Sequence, residues 1–218
     1  MNLIIRQAIE TDIDFIIETI IEAEKSHTDK LSYSTIFSLS IDEVKNHLKN
    51  IILLDFPGQE LCYSQYLIAE VGNSVAGACC AWIEAEDDLE SAVIKGNLLL
   101  TELGGERITK ARKYFPMLHQ INIEREPATL QIVNAYVKPE YRGQGIIGKL
   151  ILKHIDNYIK KNPTLKKVQL RPIKTNPQAC RAYEKIGFHF VLEKTIEDKS
   201  ALEILPSDTK ILMEKTLE

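Results

Sequence analysis

Hydrophobic side chains change their spacing within residues 132–159. Residues 132–137 read Ile-Val-Asn-Ala-Tyr-Val, and this β-branched and aromatic composition is typical of a strand that ends before Pro139. From Ile147 to Ile159 the apolar residues recur at helical spacing, and Asn162-Pro163 ends that run. The pattern therefore predicts a strand, a short loop and an amphipathic helix.

The same patterns predict elements along the rest of the chain. An isoleucine stripe predicts a helix over residues 13–21 with Thr11 or Asp12 as its cap, and Ser40 with Glu43 has the spacing of a capping box. A polar, hydroxyl-rich stretch at 24–39 reads as a surface loop or as part of a substrate-binding wall. The other predictions are strands at 3–6, 65–71, 75–84, 167–172, 188–193 and 209–215, and helices at 41–50 and 177–186.

Residues 85–129 lie between two predicted strands and are far longer than the usual connection of about 4–6 residues. We predict one helix that ends at Gly104-Gly105 and a second over 106–115 that Pro116 stops. Residues 117–129 show no clear period. Two interpretations stay open: an insert that shapes substrate choice, or a structural flap or dimer surface.

Three glycines, Gly143, Gly145 and Gly148, lie between the central strand and its helix. Glycine lets backbone N–H groups approach a ligand, and a helix start adds unpaired N–H groups and a partial positive charge. This stretch predicts a site for an anion, most naturally a phosphate.

Two phosphate-binding motifs match these glycines only superficially. Gly143 to Lys149 fits a nucleotide-triphosphate loop until Leu150, where Mg²⁺ binding needs Ser or Thr. The dinucleotide fingerprint needs an acidic residue about 20 positions on, and residues 162–175 contain none. A glycine turn without a ligand is the plain alternative.

Composition points to one globular domain over residues 1–218. The chain is 44% hydrophobic and 27% charged, and its net charge of −4 argues against a nucleic-acid partner. An acidic N-terminal stretch unlike a signal peptide, and no membrane-length apolar run, predict a cytoplasmic protein without a membrane partner. Cys62, Cys79, Cys80 and Cys180 read as reduced thiols, and the five scattered histidines have no metal spacing, so no metal is expected.

Two motifs carry a resemblance to a known family. Val137-Lys-Pro-Glu-Tyr-Arg142-Gly-Gln-Gly145-Ile resembles the acetyl-CoA loop of the GCN5-related N-acetyltransferases (GNAT), although Ile147 stands where that family usually has Gly or Ala. Downstream, Asn-x-x-Ala-x-x-x-Tyr-Glu-Lys-x-Gly-Phe over residues 176–188 is similar to the family's second signature. The resemblance covers nearly the whole chain, the insert at 85–129 excepted.

The resemblance implies a fold of the α/β (α+β) class. This is the acyl-CoA N-acyltransferase fold, with a mixed, mostly antiparallel sheet of about seven strands flanked by helices and a helical insert between strands 3 and 4. It also implies that two parallel strands within residues 130–172 splay apart around the pantetheine arm of acetyl-CoA, the expected co-substrate. The implied cofactor-binding residues are Ala135, Tyr136, Val137, Arg142, Gly143, Gln144, Gly145, Ile146, Ile147, Gly148 and Asn176.

The implied activity is transfer of an acetyl group to a primary amine by direct attack, with Tyr183 protonating the leaving thiolate. The general base is left open among Glu84, Glu86 and solvent, because Gln131 and Arg171 stand where some family members have acids. A small-molecule or peptide amine is the expected acceptor, and a homodimer is left open. The alternative is a catalytically silent acyl-CoA sensor or regulatory module.

Overall fold

The computed structural model describes residues 2–217, which contain one seven-stranded sheet in the order β1-β2-β3-β4-β5-β7-β6. Within these residues β4 and β5 are the parallel pair and the other neighbours are antiparallel. This confirms the predicted fold class and the parallel pair. The strands are β1 Leu3–Gln7, β2 Tyr66–Val71, β3 Ser74–Ile83, β4 Leu130–Val137, β5 Lys167–Leu170, β6 His189–Thr195 and β7 Thr209–Thr216.

Helices cover both faces of this sheet. The helices are α1 Ile13–Lys25, α2 Ser32–Phe37, α3 Ile41–Leu53, α4 Ser91–Leu103, α5 Gly105–Ala111, α6 Phe115–Ile121, α7 Ile146–Lys161, α8 Pro177–Glu184 and α9 Ala201–Ile204. The isoleucines of α1 and the buried side of α3 share a core with Cys80 and Trp82 of β3. Cys79 instead belongs to the core beneath α7, as the alternation of side chains along a strand predicts.

The side-chain cap predicted for α3 is confirmed, and the one predicted for α1 is wrong. Ser40 caps α3 in a capping box: its Oγ accepts from the Glu43 amide over 3.3 Å and its amide donates to Glu43 Oε2 over 2.8 Å. Neither Thr11 nor Asp12 caps α1 through its side chain, because a 3-10 turn at Glu10–Asp12 precedes the helix. The Asp12 carboxylate instead accepts hydrogen bonds from Arg6 Nη1 over 2.6 Å and from the Ile9 amide over 2.9 Å.

Two stretches predicted to lack regular structure contain helices. The polar stretch at 24–39 holds α2, where Ser32 and Ile36 are buried. Pro116 does not stop a helix but lies in the first turn of α6, where the missing N–H would have no acceptor.

The insert at 85–129 is packed into the protein. Ala111 and Ile121 form a third buried cluster with Ile36 of α2, Ile196 after β6 and Leu205 after α9. The insert therefore joins α2 to the connection between β6 and β7. Over the described range 2–217, none of the helices has the length and apolar character needed to cross a membrane.

Candidate active site

The parallel strands β4 and β5 stay paired for only part of their length. Leu130 pairs with Val168, Gln131 with Gln169 and Ile132 with Leu170, and β5 then ends while β4 continues to Val137. We call the region beyond Ile132 and Leu170 the β4–β5 opening. Ala135, Tyr136 and Val137, expected to bond an extended ligand, lie on β4 along this opening.

A β-bulge alters β4 at the start of the opening. Cys80 pairs with Val133 and Ala78 with Tyr136, so Asn134 and Ala135 together stand opposite Cys79. Asn134 has a φ of +48°, a left-handed conformation that asparagine tolerates better than most residues. Such a bulge turns the strand away from regular pairing and re-aims the backbone groups that follow.

The loop from Gly143 to Gly148, here called the amide loop, leads into α7 with free N–H groups. The first hydrogen bond within α7 runs from the Lys149 amide to Gly145 O over 3.1 Å, so the amides of Ile146, Ile147 and Gly148 have no acceptor within the helix. Gly143 and Gly145 have φ values of +78° and +71°, and a Cβ on either would meet no atom within 4 Å. Free amides, the helix dipole and open space fit an anionic ligand.

The isoleucine side chains of the amide loop pack into the core and do not point towards the open space in front of the loop. Ile146 is buried and Ile147 half-buried beside it, both against the core beneath α7. A Cβ on Gly148 would lie 3.2 Å from Ile186 Cγ2, so this glycine permits close packing of α7 on the end of α8. Binding by these three residues would therefore use backbone amides.

Arg142 lies just before the amide loop and is tied to β4. Its Nε donates to Val137 O over 3.0 Å, and its guanidinium lies 5.9 Å from the centre of the Tyr136 ring. The Tyr136 hydroxyl donates to Glu18 Oε1 of α1 over 3.4 Å. These contacts hold the end of β4 and the loop together.

Asn176 caps α8 through its side chain and also links α8 to the end of α1. Its Oδ1 accepts from the Ala179 amide over 3.0 Å, and its Nδ2 donates to Ser26 Oγ, at the end of α1, over 3.1 Å. The cap positions α8, the helix that carries Tyr183.

Tyr183 is packed against the core beneath α7. Its ring meets Phe188 edge-on with 6.3 Å between ring centres. Burial, with Cys79 and Cys180 nearby, raises the pKa of the Tyr183 phenol, so it holds its proton at neutral pH. Burial also raises the pKa of the Cys180 thiol one turn away, which disfavours the thiolate needed for an acyl-cysteine route.

Glu84 is committed to structural contacts. The carboxylate is buried and accepts from Trp82 Nε1 over 3.0 Å and from the Ser91 amide, at the start of α4, over 2.8 Å. Glu86 is exposed in the turn after β3. Gln131 is buried in a network with Thr129, Gln169 and Arg171. None of these side chains is placed as an obvious base.

Sequence reasoning missed a group of charges on the sheet face opposite α7, in which Glu60 is buried and the cations around it are partly buried. Lys95 Nζ lies 2.6 Å from Glu60 Oε1 and 5.3 Å from the centre of the Tyr33 ring. The Arg125 guanidinium lies 5.2 Å from the Trp82 ring centre and 3.9 Å from Glu60 Oε2. Burial alone would raise the pKa of Glu60, but Lys95 and Arg125 outweigh it and lower that pKa to about 2.

Two more cations complete this group, Arg171 after β5 and Lys210 on β7. We call Lys95, Arg125, Arg171 and Lys210 the basic cluster, because their charges act on one another. Lys95 and Arg125 come from the insert, whose sequence has no motif. The charged residues were visible in the sequence, but no pattern indicated that they meet.

The chain matches the model of the acetyltransferase (GNAT) family over residues 35–188, and it belongs to this family. This confirms the resemblance seen in the two motifs. No curated protein matches the chain.

Solved structures show the same fold at low identity. An N-acetyltransferase from Staphylococcus aureus Mu50 is 20% identical with a TM-score of 0.65, covering 97% of this chain and 99% of that one. The Salmonella typhimurium protein yncA with its cofactor acetyl-CoA is 16% identical with a TM-score of 0.57, covering 100% and 95%. AAC(6')-Ib in complex with ribostamycin and coenzyme A is 15% identical with a TM-score of 0.52, covering 99% and 94%.

Proposed function

We propose that this protein is an N-acetyltransferase that transfers the acetyl group of acetyl-CoA to a primary amine. The observation that carries the proposal is the placement of the free amides at the start of α7 beside the β4–β5 opening, with Tyr183 on the neighbouring helix. The yncA and AAC(6')-Ib structures, which hold acetyl-CoA and coenzyme A, support the same choice of co-substrate.

The chain's residues fit the parts of acetyl-CoA in turn. Amides of residues 143–148 and the positive end of α7 suit its pyrophosphate, with Arg142 adding charge. The backbone of Ala135, Tyr136 and Val137 lies along the opening, where it suits the pantetheine amides. Asn176 stands at the start of α8 beside Ser26 and is the proposed contact from the second motif.

The proposed reaction needs one proton donor. Acetyl-CoA supplies the acetyl group as a thioester. A neutral amine nitrogen bonds to the acetyl carbon, the carbon–sulfur bond breaks, and its electron pair stays on sulfur. The Tyr183 hydroxyl gives its proton to that sulfur, and the amine proton leaves to solvent. The tyrosinate then takes up a proton from solvent, which restores the enzyme.

We assign no general base. A fraction of any amine is neutral near pH 7, so solvent suffices as the proton acceptor. Among residues 2–217, no group of three or more His, Cys, Asp or Glu is placed to hold a metal ion. We further propose that residues 1–218 form a single acetyltransferase domain that includes the insert at 85–129.

Thiol release from acetyl-CoA, measured against a panel of amines, tests the proposal. Expected are amine-dependent release and calorimetric acetyl-CoA binding that EDTA does not change. Tight binding without turnover of any amine favours the alternative of a catalytically silent acyl-CoA sensor. Absence of binding overturns both.

A further inference from the structure

Arg171 and Lys210 lie diagonally across from each other on the sheet face that lies away from α7 and Tyr183. Leu170 pairs with Met213, and both side chains enter the core beneath α7. Side chains alternate along a strand, so Arg171 and Lys210 project from the opposite face. The bridge between Ile173 and Lys210 carries the pairing of β5 and β7 past the strand end, so Lys210 lies diagonally across from Arg171 on the same face.

Neither cation has a carboxylate of its own. Arg171 donates to four neutral oxygens, those of Ile123 O at 3.1 Å, Glu124 O at 2.8 Å, Gln169 Oε1 at 3.0 Å and Gln131 Oε1. In residues 2–217 no salt bridge within 4.0 Å involves Arg171 or Lys210. Burial lowers the pKa of Lys210, and Arg125, Lys95 and Arg171 lower it further against the attraction of Glu24.

The acids nearby are already engaged, yet two buried atoms lack partners. Glu60 is paired with Lys95 and more loosely with Arg125, 3.9 Å away, and Glu84 bonds Trp82 and the start of α4 and lies 4.0 Å from Arg125 Nε. Glu60 Oε2 and Arg125 Nε are buried without a hydrogen bond. Buried cations and orphaned polar atoms are costly unless a partner compensates them. Glu60 Oε2 is an acceptor and lies 3.9 Å from Arg125 Nη2. Arg125 Nε, Arg171 and Lys210 are donors, and the last two have no ion pair among the described residues, so an anion is the partner that fits them.

Arg171 and Lys210 lie next to the β4–β5 opening, where the proposed reaction takes place. Arg171 directly follows Leu170, the last residue of β5 that pairs with β4, and it bonds Gln131 on β4. The pair therefore flanks the β4–β5 opening. The amide loop and Tyr183 occupy the face of the sheet that carries α7 and α8. An acceptor would therefore reach the opening from the opposite face, which carries the basic cluster.

We propose that the amine acceptor carries an anionic oxygen group, a carboxylate or a phosphate, and that Lys210, with Arg171 and Arg125, binds it. This inference rests on the proposed function, since it names the acceptor class of the same site. Lys210 is a specificity residue in this scheme, and Lys95 stays paired with Glu60.

The first test compares acceptors in pairs that differ in one anionic group. Amino acids are compared with their amides, and phosphoethanolamine with ethanolamine, in the thiol-release assay. The expected result is a kcat/KM higher by about 10- to 100-fold for the anionic member of at least one pair. The pair that shows the effect distinguishes carboxylate from phosphate. Equal or better turnover of the uncharged members overturns the inference and leaves the proposed function standing.

The second test changes the cation. Lys210→Met keeps the length and apolar stem of the side chain, so we expect kcat/KM for the anionic member of the pair to fall by the same factor relative to that for the uncharged member. Lys210→Arg should recover most of the loss. Lys174→Met is the matched control, because Lys174 is an exposed lysine paired with Glu193. Equal effects of Lys210→Met on charged and uncharged amines would instead assign Lys210 a structural role and overturn the inference.

A third measurement does not require turnover. Inorganic phosphate is titrated into protein saturated with coenzyme A, so that the amide loop is already occupied, and the melting temperature is recorded. Phosphate should stabilise the wild type and the Lys174→Met variant but not Lys210→Met. Stabilisation without turnover of any amine keeps the anion site and refutes the proposed function. Equal stabilisation of the wild type and both variants marks adventitious binding and overturns the site.

Discussion

His154 of α7 donates a hydrogen bond from Nε2 to the carbonyl oxygen of Cys79 on β3 over 2.8 Å. Cys79 is the residue that the bulge at Asn134 leaves without a direct partner on β4. The histidine thus satisfies a carbonyl next to the bulge and fixes α7, whose first turn belongs to the amide loop, against the sheet. Burial outweighs this bond and lowers the pKa of His154 to about 4.

This contact predicts a loss of stability in mild acid. The unfolded chain takes up a proton at His154 near the ordinary histidine pKa of 6.5, and the folded chain only near 4, so stability falls as pH drops from 6.5 towards 4. From pH 7 to pH 5 the loss from this group is about 2 kcal/mol. Urea unfolding at both pH values measures it. The His154→Gln variant should show a smaller difference, and an unchanged difference would contradict the pKa assignment.

Tyr183→Phe should separate proton donation from packing. The variant keeps the ring beside Phe188 and removes the proton, so kcat should fall by about 10²- to 10⁴-fold while acetyl-CoA affinity and melting temperature change little. The assay must be run where chemistry limits the rate. An unchanged kcat would mean that water protonates the thiolate, and a large loss of stability would mean that the hydroxyl serves the core.

Gly145→Glu should abolish acetyl-CoA binding by placing a carboxylate against the pyrophosphate at the start of α7. Gly72→Glu is the matched control, since Gly72 also has a positive φ, +62°, and open space at its Cβ. Both variants adopt a strained conformation that costs roughly 1–2 kcal/mol. Calorimetry should show binding lost in Gly145→Glu alone. Loss in both would point to strain, and retention in both would place the cofactor elsewhere.

Glu60→Gln should destabilise the protein, because it leaves Lys95 and Arg125 partly buried without their shared carboxylate. Removing one partner of a buried ion pair typically costs about 3–5 kcal/mol. Thermal unfolding checks this value, with the exposed pair of Glu106 and Lys110 as the control that should change little on Glu106→Gln. Adding Lys95→Met to Glu60→Gln should recover part of the loss. A neutral effect of Glu60→Gln would mean that the pair is solvated.

Replacing residues 88–126 of the insert by a short loop is a poor test of substrate choice. Ala111 and Ile121 are buried against residues from three other parts of the chain, so deletion would expose a core cluster. Single changes at the charges that the insert contributes, Lys95 and Arg125, address the same question in a folded protein.

The sequence alone determined the strand–loop–helix unit and the cap of α8. Hydrophobic periodicity, Ser40 with Glu43, and Asn176 with Pro177 act over a few residues, so the chain carries these signals locally. The two motifs then identified the family and, with it, the seven-stranded fold. Local signals failed where long-range packing decided the outcome, as for α2, buried within a polar stretch, and for α6, which accommodates Pro116 in its first turn.

The tertiary structure alone decided which charges meet. Glu60, Lys95, Arg125 and Lys210 are far apart along the chain, and each is an ordinary charged residue in sequence. They come together because the loop before β2, the insert and β7 meet on one face of the sheet, where burial excludes water and strengthens the interactions between charges. The same holds for Asn134, whose left-handed conformation follows from the register of β3 on β4 and not from its own sequence neighbours.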